Sequence, residues 1–117
     1  MTNPKNSGHF DLEERTQRFA KTVLEFITYL PKNLPNEKIA KQIIRSAGSV
    51  GANYIEANEA LSKKDFAMRI KICRKEAKES KYWLSLFDIK EETLEKKRKS
   101  LIGEATELTK IFGAIVE

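Results

Sequence analysis

The chain has 117 residues, 40% of them apolar and 33% charged, with a net charge of +5 and an isoelectric point near 9.3. That suffices for one core and is too short for two domains, while three prolines and five glycines give too few turn signals for an all-β fold. The single Cys73 excludes an intramolecular disulfide and suits a reducing compartment, and no apolar run nears the roughly 20 residues of a membrane span. With no signal-peptide core after Met1, the expected location is cytoplasmic and no membrane partner is expected.

Residues 1–10 read as a disordered leader, polar and aperiodic, with Pro4 and Gly8. The domain is expected over 11–117. Asp11, with Glu14 three residues on, resembles a capping box and opens a first helix over about 12–30. Its inner face is Leu12, Phe19, Val23, Phe26, Ile27 and Leu30. Pro31 and Pro35 stop it, and Asn36 is the expected cap of the second helix, which extends to about Ala60. On a wheel of about 100° per residue, Ile39, Ile43, Ala47, Val50, Tyr54, Ala57 and Leu61 share one face. Ile44, Gly48, Gly51 and Ile55 lie nearly opposite, and Arg45, Ser49, Asn53 and Glu56 form a polar stripe between. A helix with two apolar faces must be covered on both.

Ser62 caps the third helix, with Asp65 at the capping-box position. Its seam is Phe66, Ile70, Cys73, Ala77, Ser80, Leu84 and Phe87. Lys64, Lys71, Lys75 and Lys78 lie opposite, and one flank carries Met68, Ile72, Glu76, Glu79 and Trp83. Residues 63–81 hold eight Lys or Arg against three Asp or Glu, so the excess positive charge concentrates here. After a connection over 88–92, the fourth helix places Leu94, Leu101, Ile102, Ala105, Leu108, Ile111, Phe112 and Ile115 inward. Its first half, KEETLEKKRK, reads as a solvated charge run. Four helices with short connections predict an all-α, antiparallel up-down-up-down four-helix bundle, about 30–38 Å tall at 1.5 Å per residue.

Arg45-Ser46, Ser49, Ala52-Asn53, Glu56-Ala57, Ser62-Lys63-Lys64-Asp65-Phe66, Glu76-Ala77, Glu79 and Tyr82-Trp83 together resemble the bacterial 23S rRNA-intervening sequence proteins, also known as the four helix bundle protein family. The resemblance spans about 19–87; the fourth helix matches in general character only. It implies a bundle that assembles into a homopentamer. A related branch, the accessory proteins of diversity-generating retroelements, is basic and binds nucleic acid and a reverse transcriptase. A partner of that kind is an expectation by analogy alone.

Arg45, Ser49, Asn53 and Glu56, with Glu76 and Glu79 across the helix pair, read as a structural polar network, Arg45 pairing with the two carboxylates. Ile44, Gly48, Gly51 and Ile55 read as a surface that a neighbouring helix approaches closely. Met68, Ile72 and Trp83 are its expected counterpart on another copy. Lys64, Lys71, Lys75 and Lys78 suit a phosphate backbone, RNA or DNA, recognised electrostatically and with little sequence selectivity. No aromatic stacking surface or RNA-binding motif accompanies them. Equally open is a protein-interaction scaffold in which the lysines are only a solvated face. Catalysis is not expected. The sole histidine, His9, lies in the leader, so no Ser-His-Asp or Cys-His set can form on the bundle. The Glu-x-x-His pairs of di-iron bundles are absent, and Cys73 sits on the core seam. No cofactor or metal is implied.

Overall fold

Each helix begins where a side-chain oxygen can accept from amides that have no partner in the first turn. In the computed structural model, which describes residues 11–117, Asp11 accepts from the amides of Glu13 (3.0 Å) and Glu14 (3.5 Å) and starts α1, Leu12–Thr28. Asn33 accepts from Asn36 at 2.9 Å and starts α2, Leu34–Asn58. Ser62 accepts from Asp65 at 3.0 Å and starts α3, Lys63–Leu86. Glu91 accepts from Thr93 (3.0 Å) and Leu94 (3.1 Å) and starts α4, Glu92–Ile115. The leader expected over 1–10, His9 included, lies outside the described residues, among which there is no strand.

The cap of α2 is therefore Asn33, not Asn36. Pro35 sits in the first turn, where its missing donor is harmless, and Asn36 is carried inside. It is only 3% exposed. Its amide nitrogen donates to the carbonyls of Pro31 (3.1 Å) and Asp88 (3.2 Å), and its oxygen accepts from Asp88 N–H (3.0 Å). One side chain thus ties the α1–α2 connection to the α3–α4 connection. The first helix ends two residues before Leu30, which remains buried.

The helices run alternately up and down, each packed on its sequence neighbour, with α1 closing on α4 through the thinnest seam. The body measures 44 × 27 × 20 Å. Phe19, Val23 and Phe26 of α1, Ile43, Ala47 and Val50 of α2, Ile70, Cys73, Ala77 and Leu84 of α3, and Leu101, Leu108 and Phe112 of α4 fill one core. Two expected inner positions point out. Leu61 is fully exposed because α2 ends at Asn58 and the turn carries it into solvent, and Ile115 is 41% exposed at the last residue of α4.

The end of α3 is held from outside. Arg98 of α4 donates from Nη1 to the carbonyls of Leu84 (3.3 Å) and Phe87 (2.6 Å), while Glu95 grips the same guanidinium. A cation at a helix C-terminus satisfies carbonyls that lack partners and complements the helix dipole. Arg15 makes the corresponding clip between α1 and α4. Its Nε and Nη2 donate to Glu104 at 2.7 and 3.0 Å.

Candidate nucleic-acid interface

The α2–α3 pair is the most closely fitted part of the bundle, and small side chains make it so. Ser46 and Ser80, both fully buried, hydrogen-bond at 2.8 Å. Ser80 also donates to the Glu76 carbonyl at 2.9 Å. The flank beside them is polar. Arg45 donates to Glu76 at 3.3 Å and to Glu79, and Trp83 Nε1 donates to the same Glu79 carboxylate at 2.9 Å. About two turns away, Arg69 donates to Asn53 at 3.1 Å, and Asn53 donates to the Ser49 carbonyl at 2.9 Å. Of the six residues expected to form one network, the structure places Arg45, Glu76 and Glu79 in one cluster and Ser49 and Asn53 in another. Glu56 is exposed and joins neither.

This arrangement decides the charge of the outer surface. Glu76 is 7% exposed and Glu79 is half-buried under Arg45 and Trp83; Asp65 is half-buried at the helix start. Lys63, Lys64, Lys71, Arg74, Lys75, Lys78 and Lys81 are all exposed, so every exposed charged residue of α3 is basic. The only ion pair among these seven is Lys75 with Glu76, at 3.9 Å. Such a face creates a positive potential that the carboxylates of α3 offset only at Lys75.

The apolar residues expected at an interface lie on different sides of the bundle. Ile44 (45% exposed) and Ile55 (50%) stand on the α1 side of α2, with Gly48 between them. A Cβ at Gly48 would meet nothing within 4 Å, whereas one at Gly51 would lie 2.9 Å from Thr16 Oγ1. Gly51 thus permits the approach of this chain's own α1, and Gly48 alone lies open. Met68 is 49% exposed on the outside of α3, while Ile72 and Trp83 are half-buried. Trp83 also stacks edge-on against Tyr82, with ring centroids 5.1 Å apart.

Burial pushes the Cys73 thiol up to about 12, so it stays protonated inside the core. The carboxylate of Glu104 raises the already high pKa of Arg15. Among the described residues no three His, Cys, Asp or Glu side chains gather as a metal site requires, and no helix is long and apolar enough to cross a membrane. Arg69 and Arg98 were not singled out by the sequence pattern, and Ser80 was placed on the seam of α3 without its partner Ser46. Ser46 and Arg69 occupy ordinary polar positions in a helical repeat, and Arg98 is one cation in a run of them.

A family model of 23S rRNA-intervening sequence proteins matches residues 9–114. The chain belongs to that family. The match takes in the fourth helix as well as the stretch around α2 and α3. Among solved structures, this chain is similar to a protein of unknown function from the S23 ribosomal protein family of Bacteroides thetaiotaomicron. The two are 30% identical, with 91% of this chain and 98% of the other covered and a TM-score of 0.75. No curated protein matches the chain.

Proposed function

We propose that this chain is a non-enzymatic cytoplasmic protein that assembles with copies of itself, as a pentamer, and binds RNA or another nucleic acid through the outer face of α3. The observation that carries the reading is the sorting of charge on that helix. Its carboxylates are turned toward α2 or held at the helix start, and its exposed charges are all cationic. Lys64, Lys71, Lys75 and Lys78 follow one side of the helix over about 20 Å, a length that suits a phosphate backbone. Binding of this kind is electrostatic and tolerant of sequence, because lysines read charge and not base edges. Self-assembly is supported by half-exposed apolar side chains on two different sides of one bundle. Two unlike patches that meet head to tail generate a ring when the rotation closes.

The test is a fluorescence titration with structured RNA at about 50 and 200 mM salt, a range over which several phosphate contacts weaken binding by orders of magnitude. Wild type is compared with Lys75→Glu/Lys78→Glu. Steep salt dependence, and loss of binding in the variant, is expected; equal binding by both proteins would overturn the nucleic-acid role. A protein partner, a reverse transcriptase included, is the second reading. Its support is the open α1–α4 seam, a groove of about 580 Å³ where Leu24 and Tyr29 are exposed beside Lys97. An apolar contact there would be nearly insensitive to salt.

A further inference from the structure

Two half-exposed surfaces of one bundle complement each other in charge. One is the groove between α1 and α2, about 740 Å³ and open to solvent, with Gly48 and Ile55 in its α2 wall and Glu13 and Glu14 on its α1 lip. Both carboxylates are exposed. Glu13 accepts one bond from Asn58 at 3.2 Å, and Glu14 reaches Arg18 only at 3.8 Å with both side chains about two-thirds exposed. The other surface is the start of α3, where half-exposed Met68 lies between Lys64 and Lys71. These are its i−4 and i+3 neighbours, on the same side of the helix, and the three line one shallow depression whose single carboxylate, Asp65, is half-buried. Neither lysine has an ion-pair partner among the described residues.

Position adds a second match. Glu13 bonds to Asn58 at the end of α2, and α3 begins five residues later, so the groove and the Met68 patch sit at the same end of the bundle. They look out on different sides. A copy rotated about an axis parallel to the helices therefore brings its patch to the neighbour's groove without a shift along the axis, the condition for a closed ring.

We infer that Met68 of one copy seats in the α1–α2 groove of the next, and that Lys64 and Lys71 pair there with Glu13 and Glu14. This rests on the self-assembly proposed above and narrows the nucleic-acid face to Arg74, Lys75, Lys78 and Lys81. Oppositely charged rims of this sort fix register and partner choice. The contact also gives the open site at Gly48 a purpose, since a larger residue would fill the space Met68 enters.

The experiment is sedimentation velocity over a concentration series, with circular dichroism melts to verify folding. Four proteins are compared with wild type: Glu13→Lys/Glu14→Lys, Lys64→Glu/Lys71→Glu, all four changes together, and Lys75→Glu/Lys78→Glu as a control reversal on the same helix. Each of the first two should raise the subunit dissociation constant about tenfold or more, by setting like charges against each other. The four-site variant should return to within about threefold of wild type, and the control should assemble as wild type does. Failure of the four-site variant to recover, or equal disruption by the control, overturns this interface while leaving assembly itself intact. A wild type that is monomeric throughout overturns the assembly reading and this contact with it.

Discussion

The lysine-rich stretches of α3 and of early α4 look alike in sequence and are built differently. In α3 the carboxylates are drawn under Arg45 and Trp83 or held at the helix start, which leaves a surface of cations only. In α4 the charges of both signs are mixed. Glu91 caps the helix, Glu95 holds Arg98, and Arg98 closes the end of α3, while Lys96, Lys97 and Lys99 remain outside among exposed Glu91 and Glu92. A charge run acquires meaning from where its minority sign is placed. Where carboxylates are sequestered, a field survives; where they alternate, the run becomes caps and clips.

The sharpest way to break the distinction is at Arg98. Replacing it with Ala strands two carbonyls at the end of α3, and loss of hydrogen bonds to a charged group costs about 1.5–3 kcal/mol. Lys97→Ala beside it should change stability by less than about 0.5 kcal/mol. Urea unfolding of the two variants measures the difference, and equal midpoints would reduce α4 to a solvated run. Next is Arg45→Ala. Breaking a buried pair costs about 3–5 kcal/mol, but Arg45 is half exposed and screened, so about 1–2 kcal/mol is expected. The same change uncovers Glu76 and Glu79 beside the cationic face, so RNA affinity should fall as well, and adding Glu79→Gln should restore part of it in the fluorescence titration.

The smallest expected effect is a pH response at the start of α4. Glu91's carboxyl is held below the usual range by the Thr93 amide first, then the Thr93 hydroxyl and the Leu94 amide. A group whose folded pKa is depressed adds stability that is fully present above its unfolded pKa and is lost as pH falls through its folded value. The first turn of α4 should therefore loosen on acidification below the ordinary carboxylate range. Amide shifts of Thr93 and Leu94 followed by NMR should titrate with Glu91 and cease to do so in Glu91→Gln.

Much of the fold was legible because burial imposes a helical period. The seam from Phe66 to Phe87 is buried at every expected position except Phe66 itself, which is half-buried. The misses have local causes. Asn33 and Asn36 flank Pro35 and are equally good caps by type; only the bonds from Asn36 to Pro31 and Asp88 show which is needed inside. Leu61 continues the apolar period of α2 by three residues beyond its end, and no period reveals that the chain turns to let Ser62 cap α3. Arg45 with Glu76 and Glu79 could be read because opposite charges on facing flanks attract. The period placed Ser80 on the seam but could not show its bond to Ser46, because a serine off the apolar period looks the same buried or solvated.

The most direct test of the cationic face is the slope of RNA affinity against salt, measured for wild type, for Lys75→Ala/Lys78→Ala/Lys81→Ala and for Lys96→Ala/Lys97→Ala/Lys99→Ala. Each phosphate contact removed should lower the log–log slope by about 0.7–0.9. The α3 variant should flatten the slope by about two units and the α4 variant should leave it unchanged. Equal flattening by both, or by α4 alone, would contradict the account.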